Sequence, residues 1–198
     1  MTLAVAHHML SRNNMMRIVS LSFLIWIGFS VHAAELKVSS TEPVVVSAPT
    51  GWELAKAKAP GSVRFETYRV SPPDGRNATC LIFLLGKDKD QFTDPEFLKM
   101  LLKMDSKPYL ASDKELSDIN IKELKVPGAM AFYANFVDPA LVNKPPKNGE
   151  YKTATPIILT IGSKYLLKVT ILCDQIDSAD YRDAIKIVES IKEKTPEA

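Results

Sequence analysis

Histidine is almost missing from this chain: its three copies, His7, His8 and His32, all fall within the first 32 residues. A domain folded from residues 33–198 has no imidazole. It can build no Ser-His-Asp triad, no Cys-His pair and no histidine-ligated metal site. Long apolar runs are missing too. The longest apolar run, Ile18 to Val31, is shorter than the about 20 residues a membrane span requires. It follows Arg17 and precedes Val31-His32-Ala33. A basic residue, a short apolar run and a small-x-small tripeptide make a cleavable export signal, with cutting expected after Ala33; an uncleaved anchor is the alternative. The pair Met15-Met16 stands where such a signal would begin, so the upstream residues read as preceding the true start. Residues 1–33 are thus upstream residues and signal, and 34–198 form a single α+β domain, periplasmic or extracellular. No transmembrane span is expected in that mature form.

Net charge is the next absence. The chain carries 25 basic and 23 acidic residues. The expected signal holds Arg12 and Arg17 and no acid, which leaves the mature domain balanced. A neutral domain has no electrostatic footprint for nucleic acid or an anionic membrane. Cysteine is limited to Cys80 and Cys173. In an oxidising compartment an even count reads as a disulfide, with two buried free thiols as the alternative.

What the sequence does contain is a succession of short strands and two helices. Val44-Val45-Val46 suggests a first strand, followed by a turn at Pro49-Thr50-Gly51-Trp52 and a connector through 55–61. Val63 to Val70 alternates as a strand, and Ser71-Pro72-Pro73-Asp74-Gly75-Arg76 is a strong turn. Thr79 to Leu85 has no polar break and belongs mid-sheet, paired with the strand before it. A helix starts near Thr93, with Glu96 three residues on and Pro95 in the first turn, and stops at Pro108. Ile119 to Val126 and Met130 to Val137 read as paired strands. Asp138 to Thr155 is a long loop. Pro156 to Ile161 and Lys164 to Asp174 form a hairpin around Gly162-Ser163, expected as a two-residue turn. A closing helix spans about Ser178 to Lys194, capped by Asp177 or Ser178. The sum is an antiparallel sheet of about six strands with two main helices.

This order of elements, together with the Pro49-x-Gly51-Trp52 turn and the closing Val188-x-Ser190-Ile191, resembles the PsbP-like superfamily. That superfamily includes the extrinsic subunit of photosystem II and bacterial envelope proteins of the DcrB type. The resemblance implies an α-β-α sandwich around a central antiparallel sheet, and a binding or assembly module rather than an enzyme. It carries over no catalytic residues.

The strongest interaction candidate is the long loop, where Asn143, Lys144 and Lys147 flank the stiff Pro145-Pro146 pair and Tyr151 comes just after. Preordered backbone lowers the entropic cost of binding. Trp52 is a candidate groove residue, or else a core anchor. Acid pairs are the one route to hydrolysis without histidine. The nearest are Asp88/Asp90, Asp113/Glu115 and Asp177/Asp180, all in turn or cap contexts. Asp88-x-Asp90 with Asp94 and Glu96 faintly resembles a calcium loop but lacks its glycine. Asn77-Ala78-Thr79 fits the glycosylation acceptor pattern. No catalytic residue, metal or cofactor is assigned. The expected function is an exported, non-catalytic module whose partner is a protein or another envelope component. The alternative is a small-molecule or metal-ion binding protein, or a carboxylate-dependent hydrolase.

Overall fold

The computed structural model describes residues 32–36, 44–57, 67–73, 76–87, 90–111, 114–147, 149–162 and 164–194. Except for His32 and Ala33, which fall in the first strand, the expected signal, residues 1–33, lies outside them. So do the start of the strand expected at Val63, Asp74-Gly75, Asp88, Asp113, Asn148 and Ser163.

In chain order the elements are β1 (His32–Leu36), β2 (Val44–Ala48), β3 (Glu53–Ala57), β4 (Thr67–Ser71), β5 (Ala78–Lys87), α1 (Pro95–Ser106), β6 (Lys122–Glu123), β7 (Ala129–Tyr133), β8 (Phe136–Val137), β9 (Thr153–Ile161), β10 (Tyr165–Cys173), α2 (Ala179–Glu189) and β11 (Lys192–Glu193). The main sheet has eight strands, ordered β3-β4-β5-β10-β9-β7-β6, with β8 on the far end of β9. A smaller sheet is ordered β1-β2-β11. Neighbouring strands run antiparallel throughout. The fold is therefore mixed α and β, with more strands than expected.

Side chains alternate across a strand, and β9 and β10 use both of their faces. Ile157, Leu159 and Ile161 of β9 join Leu167, Val169 and Ile171 of β10 in one core, with Ala184, Ile187 and Val188 of α2 packed on it. Ile158 and Leu166, one residue out of phase, meet Leu98 and Leu102 of α1 in a second core with Phe92 and Phe132. All nine residues of β9 are buried. That explains its unbroken Ile-Ile-Leu text, since a strand covered on both faces has no reason to alternate.

Several expected boundaries move. The strand expected over Ile119 to Val126 shrinks to Lys122–Glu123, and β9 begins at Thr153 rather than Pro156. Asp94, not Thr93, caps α1: its Oδ1 accepts from the Glu96 N–H at 2.9 Å. Thr93 instead ends a short 3-10 turn. The closing helix stops at Glu189. The Ser190 hydroxyl accepts from the Ser47 N–H at 2.8 Å and lies 2.9 Å from the Ser47 carbonyl, and Lys192 and Glu193 then pair with Val45 and Val44. The last hairpin closes across Ile161 and Tyr165, so its turn has three residues rather than two. Gly162 still takes the positive φ, +57°, that the turn demands.

One interruption has a chemical cause. β7 and β8 are separated by Ala134 and Asn135, opposite Pro156 in the middle of β9. The Pro156 carbonyl accepts from the Ala134 N–H at 3.3 Å, but proline has no N–H to return. The ladder breaks there, and Asn135 turns its side chain into the α2 layer. Its Oδ1 accepts from Thr155 Oγ1 at 2.8 Å and from the Tyr181 hydroxyl at 3.3 Å.

The two cysteines are free and buried, which corrects the expected disulfide. Their strands are neighbours, but Cys80 stands opposite Ile171, and Cys173 opposite Ala78. The pair is therefore diagonal. Diagonal Cα atoms across a ladder are about 7–8 Å apart, beyond the bridging range of about 4.4–6.8 Å. The Cys173 thiol lies instead 3.0 Å from Thr153 Oγ1. Burial pushes the Cys80 thiol up to about 12 from its ordinary 9.0. Only the unfolded chain ionises this thiol between those values. Its contribution is complete below pH 9 and is lost as pH rises toward 12, at about 1.4 kcal/mol per pH unit. The urea midpoint should therefore fall between pH 8 and pH 10.5, with a shallower fall in Cys80→Ala. A thiol reagent should count two groups after unfolding and none before.

Candidate functional site: an aromatic groove below the long loop

The loop from Asp138 to Lys152 is irregular in outline but fastened from within. The Asp138 N–H reaches the Lys152 carbonyl at 2.8 Å, closing its neck. Asp138 Oδ1 accepts from the Ala140 N–H at 2.8 Å, and Glu150 Oε2 accepts from the Lys147 N–H at 2.9 Å. The Glu150 N–H in turn reaches the Lys147 carbonyl. A short carboxylate that bonds backbone two residues on is the usual way a turn is set without regular structure.

Asn77 ties the loop to the sheet. Its Nδ2 donates to the Glu150 carbonyl at 2.7 Å and to Asp174 Oδ1 at 2.8 Å. This is the nitrogen a glycan would occupy, so the glycosylation pattern here serves a structural bond. Asn77→Ala should cost about 1–3 kcal/mol, because a carbonyl and a carboxylate lose their donor. Limited proteolysis should cut 138–152 faster in this variant, and an unchanged cleavage rate would contradict the anchoring role.

Beneath the loop's neck lies a groove of about 350 Å³, large enough for a side-chain cluster or a short segment. One wall is the turn that follows α1, Pro108 to Ala111. Pro108 helps end the helix because it has no N–H to continue the ladder, and the chain tightens into a 3-10 turn over Lys107–Tyr109. The other wall is β8 with Asp138, Pro139 and Tyr151, and Ala154 and Leu172 are also in the lining. The rings of Tyr109 and Phe136 approach to 5.7 Å between centroids at a tilt of 32°, a favoured aromatic geometry. Burial is the main cause that raises the Tyr109 phenol above its ordinary range. The nearby Asp105 charge adds to this, and a hydrogen bond with Thr170 opposes it. At the rim Val137 is exposed, and so is Val142 further along the loop.

Of the residues singled out in the loop, Tyr151 alone lines this groove. Asn143, Lys144 and Lys147 are exposed on the loop and are not part of the lining. Tyr109, Phe136 and Leu172 come from three separate elements. Their only advance signal is an aromatic directly after the helix-ending Pro108.

Trp52 belongs to a different groove, of about 460 Å³, between the turn after β2 and α2. Its indole is only 7% exposed, with Nε1 buried and without a hydrogen-bond partner. The Arg76 guanidinium sits 5.6 Å from its ring centroid and pairs with Asp180 at 2.7 Å. The core-anchor and groove readings thus meet in one residue.

The acids have local duties. Asp180 pairs with Arg76, Asp94 caps α1, and Glu96 pairs with Lys99 at 2.7 Å. Asp177 takes a left-handed φ of 70° just before Ser178, whose hydroxyl caps α2 by accepting from the Tyr181 N–H. Glu115 and Asp118 form a reciprocal capping box around a 3-10 turn. Among the described residues no group of three or more His, Cys, Asp or Glu could hold a metal ion. Nor is any helix of the described residues long and apolar enough to cross a membrane.

No protein-family model matches the chain, and no curated protein matches it either.

Proposed function

We propose that this chain is an exported, non-catalytic binding or assembly module of the PsbP-like kind, with a helical layer on each side of its sheet. Its partner is a protein of the cell envelope, held in the groove below the 138–152 loop. The supporting observation is the groove's preparation. Tyr109 and Phe136 already stack, Tyr151 and two prolines complete the rim, and the loop above is pinned through Asp138, Glu150 and Asn77. Aromatic and proline walls suit an extended, apolar or proline-containing segment, and a groove already in shape adds little ordering cost to binding. The partner captured from envelope extract by the wild-type chain should be lost with Val137→Asp and with Tyr151→Ala, while melting temperature stays within a few degrees. Equal capture by both variants would remove the groove from consideration.

The unpartnered Trp52 Nε1 favours a second reading, a small-molecule site in the 460 Å³ groove beside Arg76. Trp52→Phe keeps an apolar ring and removes the N–H. A ligand that raises the melting temperature of the wild type but not of this variant would decide for it.

A further inference from the structure

The solvent side of α1 is unusually apolar. Met100 and Met104, one turn apart, are 48% and 62% exposed, although the helix already buries Leu98 and Leu102 on its inner side. Residues four apart share a helix face, so the two thioethers form one strip. Lys99 and Lys103 run beside it at the same spacing. On that lysine side the helix does not meet β6 closely. A groove of about 700 Å³ lies between α1 and residues 119–123, with Phe132 among its lining residues. Lys103 is on the helix wall and Lys122 on the strand wall. Lys99 is already engaged, pairing with Glu96 and lying 5.3 Å from the Phe132 ring. Glu123 is the remaining acid. β6 also closes the main sheet, with β7 as its one neighbour in the strand order.

A flexible methionine pair fits varied apolar side chains. Two lysines on facing walls ask for carboxylates between them. A concave channel beside a helix takes a polypeptide segment, whereas a flat bilayer would touch only the Met strip. We infer that the α1–β6 groove is a docking site for an acidic amphipathic segment of a partner protein. The segment's carboxylates meet Lys103 and Lys122, and its apolar side chains rest on Met100, Met104 and Phe132. This surface is separate from the aromatic groove and does not depend on it.

The test uses the full chain and a fluorescein-labelled amphipathic Leu–Glu peptide, with anisotropy as the readout. Saturable binding is expected, weaker by about tenfold in Lys103→Glu/Lys122→Glu and in Met100→Ser/Met104→Ser. It should also weaken with added salt and be untouched by Tyr151→Ala. These side chains are at the surface, so thermal melting of the variants should match the wild type and exclude misfolding. Absence of binding, equal binding of a Leu–Lys peptide of the same pattern, or indifference to both double variants would overturn the inference. Loss through Tyr151→Ala would assign the peptide to the aromatic groove instead. Sedimentation with phosphatidylglycerol vesicles that the same double variants abolish, without peptide binding, would make the surface a lipid contact and equally overturn it.

Discussion

Leu102→Ala should lower the free energy of unfolding by about 3–4 kcal/mol, the usual cost of a leucine-sized hole in a core that relaxes only in part. Leu102 has no exposed area and belongs to the small cluster that fastens α1 to the sheet, with Phe92, Leu98, Phe132, Ile158 and Leu166. In so small a cluster few neighbours can move in to refill the space. The loss compares with about 5–15 kcal/mol for the net stability of a typical domain, so the variant should be visibly fragile in urea. Met104→Ala, two residues along the same helix but largely in solvent, should stay within about 0.5 kcal/mol. A Leu102→Ala cost below about 1 kcal/mol would mean that α1 does not pack on β9 and β7 in this way.

Lys168→Met should cost about 2–4 kcal/mol for an electrostatic reason. Lys168 projects from β10 toward α1, where its ammonium pairs with Asp105 and lies 5.3 Å from the Phe83 ring. Both side chains are mostly shielded, and the second carboxylate oxygen of Asp105 is buried without a partner. Removing the lysine strands a negative charge where water reaches it poorly, which costs more than the pair contributes. Asp105→Leu/Lys168→Met should therefore recover most of the loss and come within about 1 kcal/mol of the wild type. Urea titrations of the four proteins give the coupling directly. If the double variant is as weak as the single one, packing around Lys168 matters and the charge pair does not.

Most strand positions are legible in the sequence, either as a clear period of two or as an unbroken apolar run between turn residues. Tyr68 and Val70 point into one core while Arg69 between them is exposed, as alternation in β4 requires. The pairings of β4 with β5, β6 with β7 and β9 with β10 are also legible, from the turn residues between them. β3 is not, since Ala55-Lys56-Ala57 has poor strand propensity and owes its conformation to pairing with β4. The end of α2 is hidden for a similar reason. Helical periodicity runs on through Ile191, but tertiary pairing with β2 captures Lys192 and Glu193. Register is what defeats the disulfide. Sequence can say that two strands are neighbours, but the offset of two residues that separates Cys80 from Cys173 is set by the ladder itself. The aromatic groove is legible only through Tyr151. Phe136 reaches it because Pro156 interrupts the ladder before β8, an effect between strands about twenty residues apart.

The pairing of β5 with β10 joins residues 78–87 to 165–173 at the centre of the sheet. Each partner has a local hairpin neighbour, β4 for β5 and β9 for β10, but joining the two hairpins must close the long connection from Lys87 to Tyr165. Chains dominated by such distant contacts fold in milliseconds to seconds rather than microseconds. During synthesis β5 has β4 on one edge, but its other edge and the apolar side chains that β10 and the helices cover wait until the final hairpin has left the ribosome. For that interval the polypeptide is a client for any holding chaperone that recognises Leu81 to Leu85.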